Sequence, residues 1–363
     1  MADRIWSGKA PVSGHVRKAE SDKLSAIGDM RLRLYKVSSR VRRLIRRLKN
    51  AAVAAVAQLA LALLGLVSLD RALRVGDKTG ALLYRLLRGS RRLALEHLRL
   101  AFGDRLSPAA YEHLARASFI NIARSFCEVA KIDEIRARRE EYFEVEGWEE
   151  AEWALAGETG AVAVTGHIGN WELLAAYFAW RGLKVAAIAR RIYVPQLNRL
   201  LVGFRNRQGI ETILRESPNS TRQILRALKS KAILAMLIDQ DTHAPSISVP
   251  FFGRMARTPA AAAALAIRRE LPAVAMFIQR RPQGGHRITI DPPFVIERSG
   301  DLQADIRSLT RRFNEVLERQ VRRNPAEWVW WHRRWRRAPI AQLDLDGTSP
   351  YPTAKDAIAR GGT

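Results

Sequence analysis

The sequence predicts an α/β protein, a mixed central sheet flanked by helices and preceded by an N-terminal membrane helix. Three observations predict it. Between residues 143 and 321, short apolar runs alternate with stretches whose apolar residues recur at helical spacing. The run Ile233-Leu234-Ala235-Met236-Leu237-Ile238 is continuously apolar, as a strand covered on both faces requires. Ahead of all this, residues 51–69 form nineteen positions without a formal charge.

Taken in order, residues 1–50 form a basic extension. From Arg31 to Lys49 there are nine Lys or Arg and no acid, interleaved with Leu32, Leu34, Val37, Val41, Leu44, Ile45 and Leu48. That pattern fits a basic amphipathic helix or a solvated arm. The segment 51–70 reads as a membrane anchor at the lower length limit for a bilayer span; its alternative is a helix buried in the catalytic domain. Residues 71–140 form a helical prelude, with Leu82, Leu83, Leu86 and Leu87 at helical spacing and Ser107-Pro108 opening a further helix. The α/β domain spans 141–340. Strands are expected at 143–146, 161–165, 185–189, 233–238, 273–279 and 287–290. Helices are expected at 148–155, 170–180, 195–207, from 217 past Leu228, 258–269 and 301–321. The tail 341–363 reads as loose.

Sixty-one Lys and Arg against 36 Asp and Glu leave a formal charge of +25, which favours polyanionic partners. Nucleic acid, anionic membrane lipids, phosphorylated glycolipids and acidic carrier proteins all qualify. No zinc-ligand spacing, RNP-like aromatic strand or recognition helix points to nucleic acid. A basic nucleic-acid-binding protein therefore stays as the competing reading, and no nucleic-acid partner is expected. The histidines lack metal-ligand spacing and no glycine-rich nucleotide cradle appears, so neither metal nor cofactor is expected. The one cysteine, Cys127, excludes an intramolecular disulfide and sits in an expected helix, which favours inert packing.

The segment Val164-Thr165-Gly166-His167-Ile168-Gly169-Asn170-Trp171-Glu172 ends a strand, turns at two glycines and opens a helix at a good capping residue. His167 then lies at a strand's carboxyl end, where open α/β sheets place ligands. Glu172 lies in the first turn of the next helix and is expected to reach back to the imidazole. Such a pair serves a reaction in which an alcohol attacks: imidazole takes the proton, and a carboxylate on the other ring nitrogen fixes the tautomer.

Further blocks follow in chain order: Ala189-Arg190-Arg191-Ile192-Tyr193 with Asn198 and Arg205; Leu237-Ile238-Asp239-Gln240-Asp241; Val249-Pro250-Phe251-Phe252-Gly253 with Thr258-Pro259; and Glu327-Trp328-Val329-Trp330-Trp331-His332-Arg333-Arg334-Trp335. Together with Gly-His-Ile-Gly-Asn-Trp-Glu they resemble the bacterial lipid A biosynthesis (late, lauroyl/myristoyl) acyltransferase family, within the glycerolipid and lysophospholipid acyltransferase superfamily. The resemblance covers about residues 91–337. It implies a glycerolipid acyltransferase-like fold with His167 as general base and Glu172 as its partner. Arg190 or Arg191, Asn198, Asp239, Asp241 and Arg334 become substrate-binding candidates, and Phe251 and Phe252 acyl-tunnel candidates. It implies transfer of a fatty acyl chain from acyl carrier protein or acyl-CoA to a hydroxyl of a phosphorylated glycolipid. The expected place is a bacterial inner membrane, with the catalytic domain on the cytoplasmic side. A mannosylated glycolipid, a lysophospholipid or an aminolipid remains open as acceptor. In the last block Trp328 and Trp331 are expected to be the more buried tryptophans, and His332 a structural or acceptor-contact residue.

Overall fold

The computed structural model describes residues 41, 44–242 and 244–336. Most of the basic extension and the whole 341–363 tail lie outside the described residues. The chain divides into two units, Met1–Gln58 with Val194–Gln196, and Leu59–Tyr193 with Leu197–Thr363. The described part of the first unit is mainly the start of helix α1 (Leu44–Gly65), which among the described residues is the one helix long and apolar enough to cross a membrane.

The second unit begins with a helical layer: α2 (Leu69–Leu86), α3 (Arg88–Phe102), α4 (Pro108–Ala130), α5 (Ile132–Ala137) and α6 (Arg139–Tyr142). Ser107 caps α4 by accepting from the Ala110 N–H at 3.2 Å, with Pro108 at the position that needs no donor. Helix α2 packs on α4 through Gly76 and Gly80, so closely that a Cβ at Gly80 would lie 2.4 Å from the Ile120 Cα.

The strands are β1 (Phe143–Glu146), β2 (Ala161–Thr165), β3 (Val185–Ala189), β4 (Ile210–Leu214), β5 (Ile233–Leu237), β6 (Ser246–Phe251), β7 (Arg254–Pro259), β8 (Ala273–Arg280) and β9 (His286–Ile290). Seven of them form one sheet in the order β1-β9-β8-β2-β5-β3-β4. Its pairs are parallel except β8 with β9, so the sheet is mixed as expected. The helices between the strands are α7 (Trp148–Leu155), α8 (Trp171–Trp180), α9 (Pro195–Arg207), α10 (Ser220–Lys229) and α11 (Ala261–Arg268), and α12 (Leu302–Arg323) follows the last strand.

The two faces of the sheet can be read from strand alternation. Val162 and Val164 of β2, with Ala273, Ala275 and Phe277 of β8, join a core that includes α3, α4, α11 and α12. Their neighbours Ala161, Ala163, Val274, Met276 and Ile278 join a second core with α7 and α8. Because β2, β5 and β3 run parallel in adjacent places, Thr165, Leu237 and Ala189 end at one edge. The residues that follow all three strands are therefore neighbours.

Two features differ from the sequence expectation. Strand β4 at the sheet edge was not expected, nor was the hairpin of β6 and β7, which pairs Ser246 with Pro259 and Phe251 with Arg254. Thr258 and Pro259 accordingly finish a strand, and the alanine-rich helix opens at Ala261.

Candidate active site

The turn between β2 and α8 carries His167. Gly169 adopts φ +59°, and a Cβ there would lie 2.0 Å from the Ile278 carbonyl oxygen, so both conformation and space call for glycine. Asn170 caps α8, its side-chain oxygen accepting from the Leu173 N–H at 3.3 Å. The His167 side chain keeps 20% of its surface open.

The carboxylate beside His167 is Asp239, two residues past the end of β5. Its Oδ1 lies 2.7 Å from His167 Nδ1, and its Oδ2 accepts from the His167 backbone N–H at 2.7 Å and from Trp328 Nε1 at 2.8 Å. Burial alone would raise the Asp239 pKa. His167 and then His332, whose Nε2 is 3.7 Å away, outweigh it and hold the carboxyl well below its usual range. A fully enclosed carboxylate on Nδ1 assigns the proton to that nitrogen and leaves Nε2 with a lone pair. The Gln240 amide meets that Nε2 at 3.2 Å. The Trp171 ring packs edge-on against the imidazole, 4.7 Å between centroids.

Glu172 does not reach back to His167. The Arg205 guanidinium of α9 holds it through two hydrogen bonds, 2.8 Å from Nε to Oε2 and 2.6 Å from Nη2 to Oε1. Both side chains are nearly enclosed, at 10% and 12% exposure. Burial would lower the Arg205 pKa, but the bonded carboxylate raises it, so the arginine stays a cation. The expected His167–Glu172 contact is thus replaced by two neighbouring pairs, His167 with Asp239 and Glu172 with Arg205.

The remaining candidates divide. Arg190 is exposed and lies 4.0 Å from Glu216, while the Arg191 N–H donates to Glu216 Oε2 at 3.1 Å. Both sit beyond the end of β3, at the same edge as His167. Asn198 accepts from the Ile192 N–H at 3.0 Å and shapes the loop between β3 and α9. Asp241 is enclosed and faces Arg257 at 3.8 Å. Arg334, expected at the substrate, is instead fully buried. It donates to the Arg257 carbonyl (2.7 Å), Thr258 Oγ1 (2.8 Å) and Asn314 Oδ1 (3.1 Å), tying the carboxyl-terminal segment to the β6–β7 hairpin and α12. Burial brings its pKa down to about 10. Phe251 and Phe252 are core residues: they pack edge to face at 4.9 Å, with Trp328, Trp330 and Trp335 around them. Trp328 and Trp330 are the fully buried tryptophans, whereas Trp331 is half-buried. His332 stacks edge-on against Trp328, and burial lowers its pKa. Cys127 is buried, its thiol pushed up to about 11 mainly by burial, which suits inert packing. Among the described residues no group of His, Cys, Asp and Glu is arranged to hold a metal ion.

Asp239, Gln240 and Trp328 carry contacts to the imidazole or its partner that the spacing along the chain does not express. Their signal in the sequence is position: Asp-Gln-Asp directly follows the fully apolar strand, where a ligand-facing edge is expected.

Residues 40–337 match the model of the family described as bacterial lipid A biosynthesis acyltransferase. Phosphatidylinositol mannoside acyltransferase of Mycobacterium tuberculosis (strain ATCC 25618 / H37Rv) is 25% identical, over 63% of this chain and 72% of that protein. Lipid A biosynthesis palmitoleoyltransferase of Escherichia coli (strain K12) is 23% identical, over 75% of this chain and 87% of that protein. Among solved structures, the 1-acyl-sn-glycerophosphate (LPA) acyltransferase PlsC from Thermotoga maritima aligns over 68% of this chain and 98% of that one, at 13% identity and a TM-score of 0.32.

Proposed function

The chain belongs to the bacterial lipid A biosynthesis acyltransferase family, and from that premise we propose that it transfers a fatty acyl chain from acyl carrier protein (or acyl-CoA) to a hydroxyl of a lipid A precursor, with His167 as general base. It is an acyltransferase of the lipid A and glycolipid type. The finer reading rests above all on one observation, the imidazole of a part-exposed His167 held at Nδ1 by the enclosed Asp239.

The chemistry follows from that arrangement. The acceptor hydroxyl takes the place of the Gln240 amide at Nε2 and gives up its proton as its oxygen attacks the thioester carbonyl. The tetrahedral intermediate collapses with cleavage of the carbon–sulfur bond, and the imidazolium returns the proton to the departing thiolate. The products are an ester and a free thiol. Asp239 stabilises the imidazolium formed between the two steps, as a carboxylate on the far nitrogen does in other acyl-transfer sites. Glu172 and Arg205 join α8 to α9 and hold the helix start that follows His167. Arg190 and Arg191, at the same sheet edge, offer cations to an anionic donor or acceptor.

A second acceptor class has its own support, the similarity to the mycobacterial relative, so a mannosylated glycolipid is the alternative. For the membrane, helix α1 and the +25 charge support attachment to an anionic leaflet. A bacterial inner membrane with the catalytic unit on the cytoplasmic side is the place where carrier protein and coenzyme A thioesters are available.

The test incubates membranes carrying the full chain with acyl carrier protein charged with a labelled fatty acyl chain and, in parallel, a tetra-acylated lipid A precursor, a phosphatidylinositol mannoside and a lysophospholipid. Transfer to the first is expected. His167→Ala should lower the rate by at least about two orders of magnitude. Equal rates for variant and wild type would end the mechanism, and transfer only to the mannoside would replace the acceptor.

A further inference from the structure

Behind the His167 turn lies a second polar cluster that makes no contact with the imidazole. Its centre is Glu128 on α4, with no exposed surface. The carboxylate accepts from both terminal nitrogens of Arg280 at the end of β8, from His286 Nε2 at 2.8 Å, from Tyr142 Oη at 3.0 Å and from Asn170 Nδ2 at 2.8 Å. Arg280 also donates to Asn121 Oδ1 at 2.8 Å and Ser125 Oγ at 3.1 Å.

A buried ion pair of this kind contributes little to stability in itself. Desolvation offsets the attraction, and an apolar pair of similar volume often does as well. What singles this one out is where its contacts lead. Asn121 Nδ2 donates to the Gly169 carbonyl at 3.3 Å, and the Ser125 hydroxyl shares its one hydrogen between the Asn121 carbonyl at 2.9 Å and the Gly169 carbonyl at 3.2 Å. Asn170, held by Glu128, caps α8. Asn121 Nδ2 also donates to the Glu327 carbonyl at 3.1 Å, and that same carbonyl accepts from the Gly169 N–H at 3.2 Å. The next residue, Trp328, donates its indole N–H to Asp239, and the Val329 N–H donates to the His167 carbonyl at 3.2 Å. Residues 166–169 belong to no helix and no ladder of the main sheet, so their backbone groups depend on these outside partners. The cluster touches both walls of the site, the turn that carries His167 and the segment that steadies Asp239.

We propose that Glu128, with Arg280, is a positioning residue for acyl transfer: it orders Asn121, Ser125 and Asn170 so that the Gly169–Asn170 backbone and the Glu327–Trp328 segment hold His167 and Asp239 in line. This rests on the reading of His167 and Asp239 as the acyl-transfer pair. General-base transfer needs hydrogen-bond reach, and a displacement of about 1 Å at a reacting group lowers a rate by about a hundredfold. Loosening the turn should therefore act on kcat and leave the binding of donor and acceptor alone.

The experiment compares kcat and KM per folded molecule, with folding followed by thermal melting, for wild type, Glu128→Gln, the double variant Glu128→Leu/Arg280→Met, Ser125→Ala and His167→Ala. Glu128→Gln is expected to lower kcat by roughly ten- to a hundredfold, with KM within about twofold. The double variant carries no lone buried charge but leaves His286, Tyr142, Asn170 and Asn121 each short of a partner, so it should stay folded with a lower melting temperature and still show the low kcat. Ser125→Ala removes the hydroxyl that links Arg280 to the Gly169 and Asn121 carbonyls and removes no charge; a kcat loss of about threefold or more is expected, and this arm stays readable if Glu128→Gln does not fold. Wild-type kcat in the folded double variant or in Glu128→Gln, with His167→Ala inactive, overturns the positioning role alone. An active His167→Ala overturns the underlying pair as well.

Discussion

Two carboxylates compete in the sequence for one imidazole, and the structure shows why chain distance chooses badly between them. Glu172 is five positions from His167 and Asp239 seventy-two. Yet β2 and β5 lie side by side in parallel, with Thr165 opposite Leu237, so residues two beyond each strand end meet. Strand order is a property of the whole sheet and cannot be read from local spacing. The position of His167 at a strand's carboxyl end was legible from the apolar run and the two glycines; the identity of its partner was not. The two acids should differ in kinetic effect. Asp239→Asn removes the charge that stabilises the imidazolium and disturbs the tautomer, so kcat should fall by about three orders of magnitude. Glu172→Gln loosens α8 from α9 and leaves a cation less well paired; an activity loss of about tenfold or less, with a lower melting temperature, is expected. Steady-state kinetics on both variants decides: a larger kcat loss for Glu172→Gln would return it to the role of imidazole partner.

Among elements, the long helices and the fully covered strands were legible because their periodicity runs over many residues. The β6–β7 hairpin was not. Pro250 sits inside β6, and Val249-Pro250-Phe251-Phe252-Gly253 reads locally as a motif without a period. Edge strand β4 is five residues long and only partly covered, which leaves little apolar signal. The contact of α2 with α4 shows a different kind of information, carried by what is missing. Gly76 and Gly80 are one helical turn apart and place bare backbone against Arg124 and Ile120. Gly80→Ala gains helix propensity but drives a methyl into the α4 backbone. Overpacking should dominate, at about 1–3 kcal/mol, and lower the melting temperature. A variant as stable as wild type would mean that the two helices can separate at no cost.

For the molecule as a whole, the buried carboxylates of the Glu128 cluster make stability depend on pH in two opposite ways. Burial would raise the Glu128 carboxyl, but Arg280 and then His286 overcome this and hold it well below the ordinary range. Its contribution is present above the unfolded value and is lost as pH falls below it. Glu327 lies close by, accepting from the Arg280 backbone N–H at 3.0 and 3.1 Å and from Asn324 Nδ2 at 3.0 Å. Burial dominates there, with Glu128 adding to it, while the Arg280 and Arg124 charges oppose it; the carboxyl is pushed up to about 7. A carboxyl with a raised folded value binds more protons folded than unfolded, so stability declines as pH rises from about 4.5 toward 7. At about 1.4 kcal/mol per unit, the decline across that window is about 3 kcal/mol. The windows do not overlap, so one substitution isolates the second. Glu327→Gln mimics the protonated acid and should flatten the decline. Urea unfolding at pH 5, 6, 7 and 8 should show wild type losing stability relative to the variant, with the gap opening mainly below pH 7. Parallel curves for the two proteins would mean that Glu327 ionises as freely folded as unfolded, and that the Glu327–Trp328 segment beside Asp239 is open to water.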